Sequence, residues 1–462
     1  MQEEITEKYF RIKQNTLKHI KILLEEISLS KNKELEEEIK KLKDELKEIK
    51  KLKKYWLVWE EKREFFDKET IWKLPVLKEM KENDIINNDS ESNILIEWDN
   101  YHTLSVLNYT HKWKIDVIYI DPPYNTWNKD FKYNDRFIDK EDKFRHSKWL
   151  SFMNKRLKLA KNLLSEIWSI FISIDDNEIA QLKLLCDEIF WVENLLKIIN
   201  WESWKPFWFK ATKTTWPRIH EYILHYANDI SKVWYNPTYT ELTSSSWEKI
   251  LTWSLIKVES DKIYSMDFIQ WAKESVIKYW IPSFWSWQKP IKLIKKFLLA
   301  WWNWNSTILD FFAGSWTTGH AVLELNKQDW WNRKFILATN NENNICREVT
   351  YERIKRVMNW YKNSKWENIK WLWWNLKYLK TDFINKHKSN DDLRQKMVNR
   401  CTELLCLKEN IWIPLETGLL SRPVSWKLFK RNDKYLAILY DMFYFDEFKK
   451  YLQKLDNQIS IY

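Results

Sequence analysis

The sequence predicts an α/β protein built around a largely parallel sheet and interrupted by an inserted segment. Three observations carry that prediction. From residue 93 onward, short β-branched runs alternate with helical stretches, the pattern of βαβ units. Two of the runs, 116–120 (DVIYI) and 307–309 (TIL), lead straight into turns of unusual composition. Between residues 192 and 285 the alternation gives way to mixed polar and aromatic sequence, and it resumes at residue 290.

Taken in order, residues 15–54 are charged and helical. Leu35, Ile39, Leu42, Leu46 and Ile49 recur at four- and three-residue spacing. That short heptad seam suits either a dimer or partner helix or packing against the chain's own domain. Residues 93–97 (NILIE) read as a strand closed by an acidic turn at Asp99, and a helix over 101–110 leads to the strand 116–120. A long helix over 147–164 precedes a strand at 169–174 (SIFISI) and a helix at 177–189. After the irregular segment come a helix at 290–300, a strand at 307–312, a helix at 317–326 and a strand at 334–339. Residues 365–462 form a further segment with a strand at 435–440; the final SIY reads as the start of another, so the C-terminus reads as truncated. The chain thus divides into a helical segment 1–55, an α/β half 56–191, an insert 192–285, a second α/β half 286–364 and a C-terminal segment 365–462.

Composition adds an inversion: 33 tryptophans against three glycines. Glycine at roughly 7% would give about 32 residues here. No tryptophan occurs before Trp56, in the one region that reads as continuous helix, where glycine is disfavoured and tryptophan is not. Trp330-Trp331 and Trp373-Trp374 stand in polar surroundings. Most of these tryptophans therefore read as glycine codons translated in the wrong code, most simply UGA taken as Trp where the natural lineage reads Gly. Trp59 and Trp149 sit in apolar-aromatic contexts and read as authentic.

A net charge of +11 and a pI near 9.0, spread along the chain, favour a polyanionic partner. Cys186, Cys346, Cys401 and Cys406 form no CxxC pair and there is no HExxH, so the sequence offers neither a zinc site nor a disulfide framework. Four scattered thiols suit a reducing cytosol, and neither a signal peptide nor a membrane span is evident. The expectation is a soluble cytoplasmic protein without a metal.

The most specific motif is DPPYNT, residues 121–126, directly after the apolar strand 116–120. An amine conjugated to a purine or pyrimidine ring is a poor nucleophile, because its lone pair is delocalised. A carboxylate and a backbone carbonyl held in a rigid turn both accept its hydrogen bonds and favour a pyramidal nitrogen. Asp121 supplies the carboxylate, Pro122 and Pro123 fix the turn, and Tyr124 offers a face for stacking a base. The second motif, DFFAGSWTTG at 310–319, becomes DFFAGSGTTG with glycine restored at 316. Such a loop brings backbone close to a nucleotide-like ligand at the carboxyl edge of a parallel sheet. Glu342, after the next strand, stands where a ribose hydroxyl is often held.

These residues resemble the S-adenosylmethionine-dependent DNA amino-methyltransferases, in the circularly permuted order that puts DPPY before the glycine loop. The resemblance is closer still to the modification subunits of type III restriction–modification systems. It runs through LVWEEK (57–62), 94–135 with DPPYNT, RHSKWLSFMNKRLKLAKNLL (145–164), IFISIDDNE (170–178), QKPIKLIKKFL (288–298), ILDFFAGSWTTGHAVLELN (308–326) and 335–357. Trp98, Trp127, Trp168 and Trp316 fall where that family has glycine.

The resemblance implies a Rossmann-like methyltransferase with an inserted target-recognition domain at 192–285 and a C-terminal partner segment at 365–462. It implies that Asp121, Pro122, Pro123 and Tyr124 receive a flipped adenine, with the Pro122 carbonyl as second acceptor. Asp310, Phe312, Ala313, Gly314, Trp316, Thr317 and Gly319 would shape the cofactor loop. Glu342 and Asp99 would lie near the adenosine, and Lys289 would approach the methionine end. Attack of adenine N6 on the sulfonium methyl needs neither covalent enzyme intermediate nor metal, and the base must leave the stack. Lys205, Lys210, Lys213 and Arg218 are candidate DNA contacts. A homodimer joined by an ATP-dependent restriction subunit is the implied assembly. N4-cytosine methylation and a catalytically inactive DNA-binding subunit are the alternatives. As spelled, Trp316 would put an indole where backbone must approach the cofactor.

Overall fold

The computed structural model describes residues 59–64, 72–126, 142–202, 220–228, 289–299, 305–362, 374–386, 393–415 and 425–462 in their greater part, with shorter stretches between them. The chain divides into Met1–Val58 and Trp59–Tyr462. The heptad seam of the first unit lies outside the described residues.

The second unit is organised on a ten-stranded sheet. Its strands in chain order are β1 (Lys73–Glu79), β2 (Ser92–Glu97), β3 (Ile115–Ile120), β4 (Leu164–Ile174), β5 (Leu195–Glu202), β6 (His220–Ala227), β7 (Phe268–Ile269), β8 (Thr307–Asp310), β9 (Lys334–Thr339) and β10 (Asn375–Asn385). Their spatial order is β1-β10-β2-β9-β8-β3-β4-β6-β5-β7. The six from β10 to β4 run parallel. The predicted class is the observed one. Because β2, β3, β8 and β9 are covered on both faces, they carry near-continuous apolar runs rather than alternation. The core between sheet and helices includes Val117, Tyr119, Ile308, Phe297, Leu323 and Phe335, all nearly inaccessible.

The helices fall close to their expected ranges: α1 (Asn100–Thr110), α2 (Arg145–Lys161), α3 (Ile179–Phe190), α4 (Ile291–Leu299) and α5 (Thr317–Asp329). Asp99 caps α1, its Oδ1 accepting from the Tyr101 amide at 2.8 Å. Along α2, Trp149, Leu150, Met153, Leu157 and Ala160 fall at three- and four-residue spacing and are buried. None of the described helices is long and apolar enough to cross a membrane.

Two segments enter the sheet that sequence patterning left out of it. β5 and β6, inside the expected insert, pair antiparallel with each other, and β6 pairs with β4. The sheet therefore runs on past residue 192. β10, inside the expected C-terminal segment, lies between β2 and the edge strand β1. Its lysines disguised it: Lys377 is buried at 3% exposure, where Asp84 Oδ2 lies 2.7 Å away and Glu79 also pairs with it. The expected strand near 435–440 is Lys434–Leu439; it pairs antiparallel with Trp426–Arg431 and parallel with Gln458–Ile461 in a separate four-stranded sheet.

The backbone also bears on the tryptophans. Among the described residues, nine non-glycine positions have positive φ: five are asparagine, which tolerates it, and four are Trp113 (59°), Trp191 (71°), Trp316 (68°) and Trp330 (60°). Trp191 and Trp330 are the residues that end α3 and α5, where helices favour glycine. Trp330 is 89% exposed. Trp168, expected just ahead of a strand, lies within β4 and packs on Phe190 at 5.5 Å. Trp127 and Trp373 lie outside the described residues.

Candidate active site

The sheet order creates the site. β3 and β8 are about 190 residues apart in sequence yet adjacent and parallel, Ile308 opposite Val117. The turn after β3 and the loop after β8 therefore open side by side at the carboxyl edge of the sheet, the usual place for a ligand crevice in such folds. A cavity of about 870 Å³ lies there; Asp99, Asp121, Phe312, Gly314 and Glu342 are among its lining residues.

The DPPYN turn is held from several sides. The Trp149 indole donates to the Pro123 carbonyl at 2.7 Å, which gives this tryptophan a structural role that glycine could not fill. Asn125 has φ 58° and donates its amide to Glu178 Oε1 at 2.6 Å. Glu178 is fully buried and also meets His146 Nδ1 at 2.7 Å. Burial pushes its carboxyl up to about 8, despite the Asn125 donor. Tyr124 donates its hydroxyl toward Asp121 Oδ1 at 2.8 Å and lies 3.1 Å from Glu221 Oε2. Burial, and then the charges of Asp121 and Glu221, raise the phenol well above its ordinary range.

The loop from Asp310 is equally tied. Asp310 accepts from the Phe312 amide at 3.0 Å and from the Thr318 hydroxyl at 2.5 Å, and its buried carboxyl is pushed up to about 7. The Ala313 amide donates to the Ala338 carbonyl at 3.1 Å, Thr350 donates to the Gly314 carbonyl at 2.5 Å, and Arg353 to that of Ser315 at 2.8 Å. Gly314 has φ 46°, so the loop needs glycine there. Thr317 begins α5.

Trp316 departs from expectation. Its left-handed backbone turns the indole into the core, fully buried against His320 and Phe335, rather than into the cavity. A Cβ on Gly319 would fall 1.9 Å from the Trp316 indole nitrogen, so the indole fills space that only a glycine neighbour leaves.

The outlying candidates divide. Asp99 and Glu342 reach the cavity; Arg156 lies 3.4 Å from Asp99, and Lys132 donates to Glu342 at 2.8 Å. Lys289 lies at the DPPY turn, 3.0 Å from both Asp121 oxygens and 2.6 Å from the Tyr124 hydroxyl. Lys205, Lys210, Lys213 and Arg218 lie outside the described residues. Sequence reasoning missed Glu64, which pairs with Arg156 at the cavity wall, and Glu97, which accepts from Arg347 at 2.9 and 3.0 Å. Burial raises the Glu97 carboxyl, but its hydrogen bonds from Arg347 and Tyr378 prevail and hold it below the usual range. Glu221 was missed too. The visible signal for it was a charged residue opening an otherwise apolar run, HEYILHYA.

Over 380 residues, 61% of its length, the chain is 27% identical to the Type III restriction-modification enzyme StyLTI Mod subunit of Salmonella typhimurium. It is 47% identical over 108 residues, 23% of the chain, to the probable HindVI Mod subunit of Haemophilus influenzae, and 36% identical over 168 residues, 31% of the chain, to the EcoP15I Mod subunit of Escherichia coli. The alignments cover 58%, 14% and 25% of those relatives' own lengths. Solved structures with some likeness include PvuII DNA methyltransferase (cytosine-N4-specific), at 15% identity and TM-score 0.38, covering 58% of this chain and 92% of that one. Another is the M1.HpyAVI–SAM complex, at 17% and 0.35, covering 56% and 99%. The DNA methylase family of the N6/N4 type matches residues 115–351, from the strand ahead of DPPYNT to beyond the glycine loop, and the chain belongs to that family.

Proposed function

We propose that the protein transfers a methyl group from S-adenosylmethionine to adenine N6 at a short specific site in duplex DNA, as the modification subunit of a type III restriction–modification system. The observation that carries this is the convergence of the Asp121 turn and the Asp310–Gly319 loop on one cavity, at adjacent parallel strands. The similarity to three type III Mod subunits supports the assignment to that system.

The cavity suits the cofactor chemically. Asp99 and Glu342 offer carboxylates to ribose hydroxyls, Phe312 offers an apolar face, and Gly314 lets backbone approach closely. When bound, the cofactor supplies an electrophilic methyl on a sulfonium. The chain's own part is to hold the amine. Asp121 accepts a hydrogen bond from the target amino group, favouring a pyramidal nitrogen, and takes up the proton released as the N–C bond forms. Trp149 and Glu178 keep the turn from relaxing around it, so orientation is fixed before reaction.

Duplex DNA, a homodimer and an ATP-dependent restriction subunit are the partners of this reading, with 192–285 as the region that reads sequence and the net charge of +11 favouring DNA. The natural chain, on the same reading, has glycine at most tryptophan positions; the positive φ angles of Trp113, Trp191, Trp316 and Trp330 support it. Asp121→Ala tests the catalytic assignment. It should abolish methyl transfer while cofactor binding persists; lost cofactor binding with residual turnover would overturn the role of Asp121. DNA binding without any methyl transfer by the unsubstituted protein would favour an inactive specificity subunit.

A further inference from the structure

Lys289 occupies the two features that a target base needs. Its ammonium lies 3.0 Å from both oxygens of Asp121, and it also sits over the Tyr124 ring, 4.8 Å from the centroid. An ammonium with three N–H donors makes the hydrogen bonds to Asp121 that an incoming amino group would make. Tyr124 and Lys289 already take three of the roughly four acceptor positions of Asp121, and Lys289 also covers the ring on which a base would stack. Lys289 therefore has to move before a base can be seated, and a largely buried cation does not leave a carboxylate unless another receives it. Glu221 Oε2 is 3.2 Å from the same ammonium.

The placement of Glu221 follows from the sheet. β6 runs antiparallel to β4, Tyr222 opposite Ile174, so the start of β6 lies at the carboxyl edge where β3 delivers Asp121. The Tyr124 hydroxyl lies between the two carboxylates, at 2.8 and 3.1 Å, and the Lys289 ammonium lies 2.6 Å from it. Burial opposes the charge on Lys289, yet Asp121 and Glu221 together hold it protonated more firmly than an ordinary lysine.

We propose that Glu221 is a positioning residue that receives the Lys289 ammonium when the target amine takes over Asp121, and that Lys289 stands in for that amine between turnovers. A small pivot transfers the cation from one carboxylate to the other without losing its ion pair. The inference rests on the reading that Asp121 accepts the target amine.

Kinetics of the full-length protein with Glu221→Gln, with Lys289→Met and with both test it. With a neutral residue at 221, Lys289 stays on Asp121. Glu221→Gln should then lower kcat about tenfold or more while the KM values for DNA and cofactor move by less than about threefold. Adding Lys289→Met removes the competitor, and the double variant should turn over at least about fivefold faster than Glu221→Gln alone at saturating substrates. Unchanged kcat in Glu221→Gln, or a double variant no faster than the single, overturns the proposal. So does a Glu221→Gln protein that no longer binds cofactor, since that marks a structural role. An unsubstituted protein that transfers no methyl group overturns the underlying reading, and this inference with it.

Discussion

Replacing Trp113 and Trp330 by glycine should stabilise the protein, although it removes two large side chains. Both are mostly exposed, at 66% and 89%, so little packing is lost. Both have left-handed φ, 59° and 60°, and their amides keep bonds that glycine preserves, from Trp330 to the Asn326 carbonyl at 2.9 Å and from Trp113 to that of Asn162 at 3.2 Å. A left-handed conformation costs an ordinary residue about 1–2 kcal/mol. Glycine returns about 0.4–1 kcal/mol of that through the greater freedom of the unfolded chain. The net gain is about 0.5–1 kcal/mol per site, and for the pair, in a unit of this length, a rise in Tm of about 1–2.5 °C. Trp191 should gain less, because it is only 37% exposed and Lys161 sits 3.8 Å from its ring centroid, closer than the 4.4 Å of Lys112 over Trp113. Thermal and urea unfolding of the single and double variants is the assay, with Trp330→Ala as control: alanine removes the indole but keeps the Cβ, so it should gain almost nothing. Destabilisation by both glycine variants, or an equal gain from alanine, would refute backbone strain as the cause. Peptide mass spectrometry on protein from the native organism reads the same question directly, glycine at 316 and 330 with tryptophan retained at 59 and 149 being the expected result.

Glu178 makes stability depend on pH. Its carboxyl is raised from the ordinary 4.5 to about 8 by burial, so its contribution is fully present below about pH 4.5 and is lost as pH rises through about 8. Glu178→Gln, which keeps an acceptor for Asn125, should flatten urea stability across that window; an unchanged slope would show that Glu178 is ionised throughout. Alanine at Lys205, Lys210, Lys213 and Arg218 should weaken DNA binding, with any base-reading residue among them costing about 1–3 kcal/mol of discrimination in competition binding. Deleting residues 1–54 should lower the oligomeric mass seen by light scattering while leaving the unfolding of the α/β unit intact; unchanged mass would remove the helix from the interface.

Much of the catalytic half was legible because parallel strands buried on both faces announce themselves as apolar runs. 116–120 and 334–339 were read nearly to the residue, and the turns that follow hold residues of the proposed site. The edges were not legible. Lys377 on β10 is buried only because Glu79 and Asp84 neutralise it, a pairing that joins residues about 300 apart and has no local signature. β5 and β6 were obscured by a neighbouring stretch without periodicity. The ion pair of Lys289 with Asp121 joins residues far apart in sequence and had no local signature. Trp316 was expected to obstruct the cavity; the direction of its Cβ, set by a positive φ, sends the indole into the core instead.

The central claim is that Asp121 directs methyl transfer to an exocyclic amine of DNA. The most direct test gives the protein and its Asp121→Ala variant S-adenosylmethionine labelled on the methyl group together with mixed-sequence duplex DNA, and then digests the DNA to nucleosides. The account predicts label in N6-methyladenine with the unsubstituted protein and none with the variant. Label confined to cytosine, or label in adenine that persists without Asp121, would contradict it.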